Sequence, residues 1–148
     1  MKKIYLDVCT LCRPFDNQSL MRIRLETDAY YLIWHGIQDG SYKMVVSPAH
    51  FKEIEGIEDL FERMELTVLL NRFGKKPSYQ LNEVRKRAEK LYSLNFGIAD
   101  AAHVAFAETS AEYFITCDDK LLKKVCKLED SNLKALNPVN FCTREDLR

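Results

Sequence analysis

An α/β protein built on a parallel sheet is predicted by three observations. Short apolar, β-rich runs alternate with stretches of helical periodicity along the whole chain. No uninterrupted apolar run approaches the roughly 20 residues that a membrane span needs. The 148 residues, 47% of them hydrophobic, suit one domain over residues 1–148 with one core.

The elements follow in order. Lys3–Val8 reads as a buried strand carrying Ile4, Tyr5, Leu6 and Val8, with Asp7 at its end. Cys9–Asn17 reads as a loop, with Pro14 and Asp16 as breakers. From Ser19 to about Gln38, Leu20, Ile23, Thr27, Tyr30, Trp34 and Ile37 recur at helical spacing and form one stripe of a long amphipathic helix, ended by Asp39-Gly40. Met44–Ser47 is a second strand. Ser47-Pro48 opens a short helix carrying Glu53 and Glu55 up to Gly56, because Ser caps and Pro suits the first helical position.

Two further helices, Glu58–Arg72 and Gln80–Leu94, flank the loop Phe73–Ser78. They exceed what a minimal βα repeat needs, so a helical hairpin beside the sheet is expected. Gly97 starts another helix, with Asp100 in its first turn and an Ala-rich face beyond. Tyr113–Cys117 is a third strand, followed at once by Asp118-Asp119 and a short helix to Lys127. A last strand lies within Lys134–Phe141, and Pro138 inside or beside it points to an edge position.

Composition narrows the function classes. Lys plus Arg is 22 and Asp plus Glu is 22, for zero net charge, which argues against a strongly basic nucleic-acid coat. The N-terminal lysines resemble a signal peptide, but Asp7 and Arg13 interrupt the apolar stretch. Five cysteines are an odd number in a chain large enough to hold a core without staples, so reduced thiols and a cytoplasmic location are expected.

The informative residues are acidic. Asp7 and Asp118 follow strands, Asp100 begins a helix, and Glu53 lies about a turn and a half past the second strand. In open parallel sheets, ligand sites lie outside the carboxyl ends of the strands. Carboxylates gathered there repel one another unless some are protonated or a cation neutralises them. Oxygen ligands of this kind suit Mg2+ or Mn2+. Each residue also has an ordinary use: helix cap or turn for the aspartates, solvated helix face for Glu53 and Glu55. Asp7 is the hardest to explain that way, because a strand end among buried residues is a costly place for an unpaired carboxylate.

Taken together, LDVC at 6–9, Glu53 after VVSPAHFK, GIADAAHVAFAE at 97–108, YFITCDDKLL at 113–122 and LNPVNF at 136–141 resemble the PIN-domain family, in particular the toxin subunits of VapBC toxin–antitoxin pairs. The resemblance spans nearly the whole chain in the expected order, and DAAHVAFAE followed by a strand ending in TCDD is its most distinctive part. It implies a three-layer α/β/α fold and a metal-dependent ribonuclease. The four acids carry over as Asp7, Glu53, Asp100 and Asp118, with Thr116 as the hydroxyl residue before the last acid. Glu55 competes with Glu53, and Asp119 with Asp118. The stretch Glu58–Ser78 departs from the family pattern.

Other motifs are weaker. Cys9-x-x-Cys12 has the spacing of half a zinc site, but no second pair follows. His103, three residues after Asp100, shares its helix face and is read as packing or support for the acids ahead of the alternative of a metal ligand, since hard-cation sites favour oxygen. Lys75-Lys76, Arg85-Lys86-Arg87 and Lys120, Lys123, Lys124 are either solvated helix faces or phosphate contacts beside an acidic centre. Tyr30, Tyr31 and Trp34 serve the core or a partner surface. A homodimer, an RNA substrate and a small antitoxin-like protein are the expected partners. Two rivals remain beside the nuclease: a PIN-like interaction module without turnover, which is expected to lose acids, and a phosphoacceptor receiver domain, which lacks its second acid here because Val8-Cys9 follows Asp7. A Rossmann enzyme is excluded by the absence of a Gly-rich phosphate loop.

Overall fold

The computed structural model describes all residues, Met1–Arg148. Its centre is β1 (Lys2–Leu6), where Ile4, Tyr5 and Leu6 have no exposed surface. Side chains alternate across a strand. Ile4 and Leu6 therefore enter one core, and Tyr5 enters a second on the opposite face. The other strands repeat this division. β2 (Tyr42–Met44) sends Tyr42 and Met44 into the first core, while Val45 just beyond it enters the second. β3 (Tyr113–Ile115) sends Tyr113 and Ile115 to the first and Phe114 to the second. β4 (Lys134–Leu136) lies at the edge. The sheet has the order β2-β1-β3-β4, and every pairing is parallel.

Helices cover both faces. The short α1 (Val8–Leu11), the long α2 (Met21–Gln38), α3 (Pro48–Glu55), α4 (Leu60–Phe73) and α8 (Pro138–Arg144) contribute to the first core. The second core takes its residues from α5 (Leu81–Ser93), α6 (Ile98–Ser110) and α7 (Asp119–Cys126). The result is an α/β architecture with a four-stranded parallel sheet between helical layers. None of the helices is long and apolar enough to cross a membrane.

Four sequence expectations need correction. The expected loop Cys9–Asn17 contains α1 and a 3-10 turn, Arg13–Phe15. Asp7 caps α1 by accepting from the Val8 amide, so a residue read as a strand end also starts a helix. The last strand stops at Leu136. Asn137 then caps α8, with Pro138 at its first position, where the missing N–H costs nothing. β2 begins at Tyr42, earlier than expected, and the long helix starts at Met21, leaving Leu20 exposed.

The fourth correction concerns the expected hairpin. α4 and α5 lie on opposite faces: Leu66 and Leu70 belong to the first core, Val84 and Leu91 to the second. Between them the chain passes along the free edge of β2, where the Lys75 amide donates to Met44 and the Val46 amide donates to Lys75, at 2.8 Å each. Gly74 permits this passage, since a Cβ there would sit 2.5 Å from the Leu70 carbonyl oxygen and 2.6 Å from Val46.

Candidate metal centre

The strand order places a crevice between β1 and β3. The chain leaves β1 for α1 and α2 on one face and leaves β3 for α7 on the other, so the two connections diverge. This is the topological switch point of an open parallel sheet, where ligand sites form. Asp7 lies on one lip and Asp118 on the other.

Asp7 is only 5% exposed. Its Oδ1 accepts from the Val8 amide at 2.9 Å, and its Oδ2 accepts from Thr116 Oγ1 at 2.8 Å and from the Cys9 thiol at 3.3 Å. Burial outweighs the stabilisation from His103, Thr116 and Cys9, and the nearby Glu53 charge adds to it, so the carboxyl is pushed above its ordinary range. Thr116 ties the two lips together, because the same hydroxyl accepts from the Asp118 amide at 3.1 Å.

Glu53 reaches the crevice from α3, and its Oε1 lies 3.1 Å from His103 Nε2. Asp7, Glu53 and His103 each bring one ligand atom within 4.8 Å of the others. Asp100, one turn before His103 on α6, is half-buried. Its carboxyl is pushed up to about 6, first by burial and then by the charges of Asp7 and Asp118, with Glu53 adding to them and His103 opposing. Asp118 is exposed and caps α7, its Oδ1 accepting from the Lys120 and Leu121 amides at 3.0 and 3.1 Å.

The competing acids point to other work. Asp119 forms two 2.8 Å hydrogen bonds with Arg22, which holds its carboxyl below the usual range. Glu55 is exposed, whereas Glu53 of the same helix meets His103.

A buried chain of hydrogen bonds stands behind Glu53. Ser47 Oγ accepts from the Ala49 amide at 3.2 Å and lies 2.7 Å from Tyr5 Oη, which lies 2.6 Å from His103 Nδ1. One proton arrangement satisfies every group: Ser47 donates to Tyr5, Tyr5 to His103 Nδ1, and His103 Nε2–H to the Glu53 carboxylate. His50 stacks on the Tyr5 ring at 4.3 Å. Its Nδ1 accepts from the Ser47 amide at 3.0 Å and its Nε2 donates to the Leu6 carbonyl at 2.7 Å. Burial, with His103 close by, depresses its pKa to about 3 and keeps the ring neutral.

Sequence reasoning did not reach Tyr5, Ser47 or His50 as supports. Tyr5 reads as one more apolar strand residue, and its partners lie 42 and 98 positions away. The signal present was the Ser47-Pro48-x-His50 cap itself, a capping box closed by the histidine ring.

The basic clusters divide. Arg87 pairs with Glu108 and Asp130, Arg85 with Glu89, and Lys86 lies 3.9 Å from Glu83. That cluster is occupied on the protein surface. Lys120, exposed in the first turn of α7 beside Asp118, forms no ion pair. With both His103 nitrogens engaged by Tyr5 and Glu53, the donors left at the crevice are carboxylate oxygens, a set of the kind that suits a hard divalent cation such as Mg2+ or Mn2+. The chain matches no protein-family model, no curated protein and no solved structure, and the chemistry of this site is argued from its own side chains.

Proposed function

We propose that this protein is a PIN-like, metal-dependent endoribonuclease that hydrolyses RNA phosphodiester bonds with Mg2+ or Mn2+. The observation that carries this reading is the crowding of Asp7, Glu53 and Asp100, with Asp118 on the facing lip, in the crevice between β1 and β3. Two of these carboxyls stand above their ordinary range. Such crowding is relieved by a cation.

Asp7 and Glu53 are the ligands best prepared to hold the ion. When bound, the ion supplies positive charge to the scissile phosphate and acidifies a water molecule. The chain's own residues do the rest. Thr116 and the Val8 amide fix the Asp7 carboxylate, and the Ser47–Tyr5–His103 chain fixes Glu53, so neither has to reorganise when RNA arrives. Asp100 adds a further carboxylate beside Asp7 and Asp118, and exposed Lys120 offers a positive charge to a phosphate.

The expected partners extend this reading. In α4, Leu66 and Leu70 are buried, while Leu60, Phe61, Met64 and Val68 are 57–67% exposed. That apolar stripe favours a second copy of the chain as its cover. A small inhibitory protein that places an Arg or Lys among the carboxylates would silence the site, because its charge substitutes for the cation's.

The deciding experiment is cleavage of a mixed RNA pool with Mn2+, Mg2+ or EDTA by wild type and Asp7→Asn. Cleavage that needs the metal and is lost in the variant supports the reading. Equal turnover by the two proteins defeats it.

A further inference from the structure

Two carboxylates and an imidazole with ligand atoms within 4.8 Å of one another would also serve Zn2+, which takes nitrogen readily. Whether this crevice is a zinc site or an oxygen site therefore turns on which ring nitrogen of His103 carries the proton. The groups buried behind the ring decide that.

The chain of hydrogen bonds takes its direction from backbone groups whose roles are fixed. The Ala49 amide donates to Ser47 Oγ at 3.2 Å, and the other partner of that oxygen is Tyr5 Oη at 2.7 Å. Ser47 is 2% exposed, and Tyr5 and His103 have no exposed surface, so their protons need acceptors inside the protein. The Ser47 proton goes to Tyr5, and the Tyr5 proton goes to His103 Nδ1 at 2.6 Å. The ring proton then stays on Nε2, 3.1 Å from Glu53 Oε1. His50 cannot reverse this order, because the Ser47 amide and the Leu6 carbonyl occupy its two nitrogens.

Neither nitrogen of His103 is left with a lone pair for an ion. Coordination through Nε2 requires three changes together. The ring proton moves to Nδ1, the Tyr5 hydroxyl turns towards Ser47, and Glu53 loses its donor. The Ser47 proton is then buried without an acceptor, which is costly. The nearby soft donor is tied up in a similar way, since the Cys9 thiol donates to Asp7 Oδ2 at 3.3 Å.

We propose that Ser47 is a specificity-determining residue for the metal, acting through Tyr5 and His103. By fixing the ring proton on Nε2 it withholds the imidazole from the ion, so the crevice offers oxygen alone and gives Zn2+ no nitrogen advantage over Mg2+ or Mn2+. This inference rests on the metal-dependent reading of the crevice.

The test uses the full chain, with nitrogen NMR of the His103 ring in the metal-free protein and with Mg2+ or Zn2+, and calorimetric titration with Mn2+ and Zn2+. The Nε2–H tautomer is expected in all three NMR samples. His103→Gln should weaken Mn2+ and Zn2+ binding by the same factor, about 10- to 100-fold, as loss of an orienting partner does. Ser47→Asp keeps a capping oxygen but accepts the Tyr5 proton. It should move the ring proton to Nδ1 and raise the ratio of Zn2+ to Mn2+ affinity by about tenfold or more. Repeating the titrations in Cys9→Ser removes the thiol from the comparison. Zinc bound to Nε2 in the wild type, or a loss in His103→Gln confined to Zn2+, overturns this inference alone. Binding of none of the ions defeats the metal-dependent reading and this inference with it. If Ser47→Asp does not fold, the wild-type spectra and His103→Gln still decide.

Discussion

Asp7 concentrates the chemistry of this protein in one side chain. It is nearly buried, caps α1 and shares Thr116 with Asp118, yet burial keeps its carboxyl above the ordinary range. Asp7→Asn should therefore fold normally and melt at the same or a higher temperature in EDTA, while losing Mn2+ binding and more than about a hundredfold of any RNA cleavage, a larger loss than a supporting residue causes. A pronounced drop in the EDTA melting temperature would contradict this balance of burial and hydrogen bonding. His103 acts through Glu53. His103→Gln should weaken Mn2+ affinity about 10- to 100-fold, as loss of an orienting partner does; isothermal titration reads it directly. Asp100 carries the pH dependence. Its folded pKa near 6 lies above the ordinary 3.8, so the folded protein holds this proton more tightly than the unfolded chain. The stability it contributes is present below the unfolded value and is lost as pH rises through the folded one. Melting curves of wild type and Asp100→Asn in EDTA should therefore diverge in the variant's favour as pH climbs from 3.8 to 6, and parallel curves would refute the assignment.

At the next level up, the elements owe their ends to individual caps and close approaches. Asn137 accepts from the Asn140 amide at 2.7 Å and turns the chain from β4 into α8. Asn137→Ala should cost about 1 kcal/mol in urea denaturation, the ordinary value of a helix cap. Gly74 lets the chain slip past the edge of β2, and its added Cβ would strike the Leu70 carbonyl, which cannot move without breaking its bond from the Gly74 amide. Gly74→Ala should destabilise the protein by about 1–3 kcal/mol, as overpacking does. The local signals for most helices were readable. Ser47-Pro48 opened α3 and Asp118 capped α7 as their sequence predicted. Pro138 pointed to an edge strand, and β4 does lie at the edge, but the proline itself sits just past the strand at the first position of α8; both uses suit a proline, and only the chain's direction after Leu136 separates them.

Viewed as a whole, the molecule is a parallel sheet whose connections part between β1 and β3, with a long apolar stripe left uncovered on α4. If a second copy covers Leu60, Phe61, Met64 and Val68, light scattering at micromolar concentration should report a dimer, and Met64→Asp should convert it to a monomer with unchanged helix content. A wild-type monomer under the same conditions would remove the interface.

The alternation of strand and helix, the parallel sheet and the edge place of the last strand were legible without coordinates, because periodicity and turn chemistry are local. So were the acids at element ends, which a reader can pick out one by one. Their company was not legible. Whether Glu53 or Glu55 faces the crevice depends on where α3 meets α6, and whether Asp118 or Asp119 does depends on Arg22, 97 positions from Asp119. The chain from Ser47 through Tyr5 to His103 and the separation of α4 from α5 onto opposite faces share one cause. Each joins residues brought together only when the sheet forms, and no spacing along the chain records that distance.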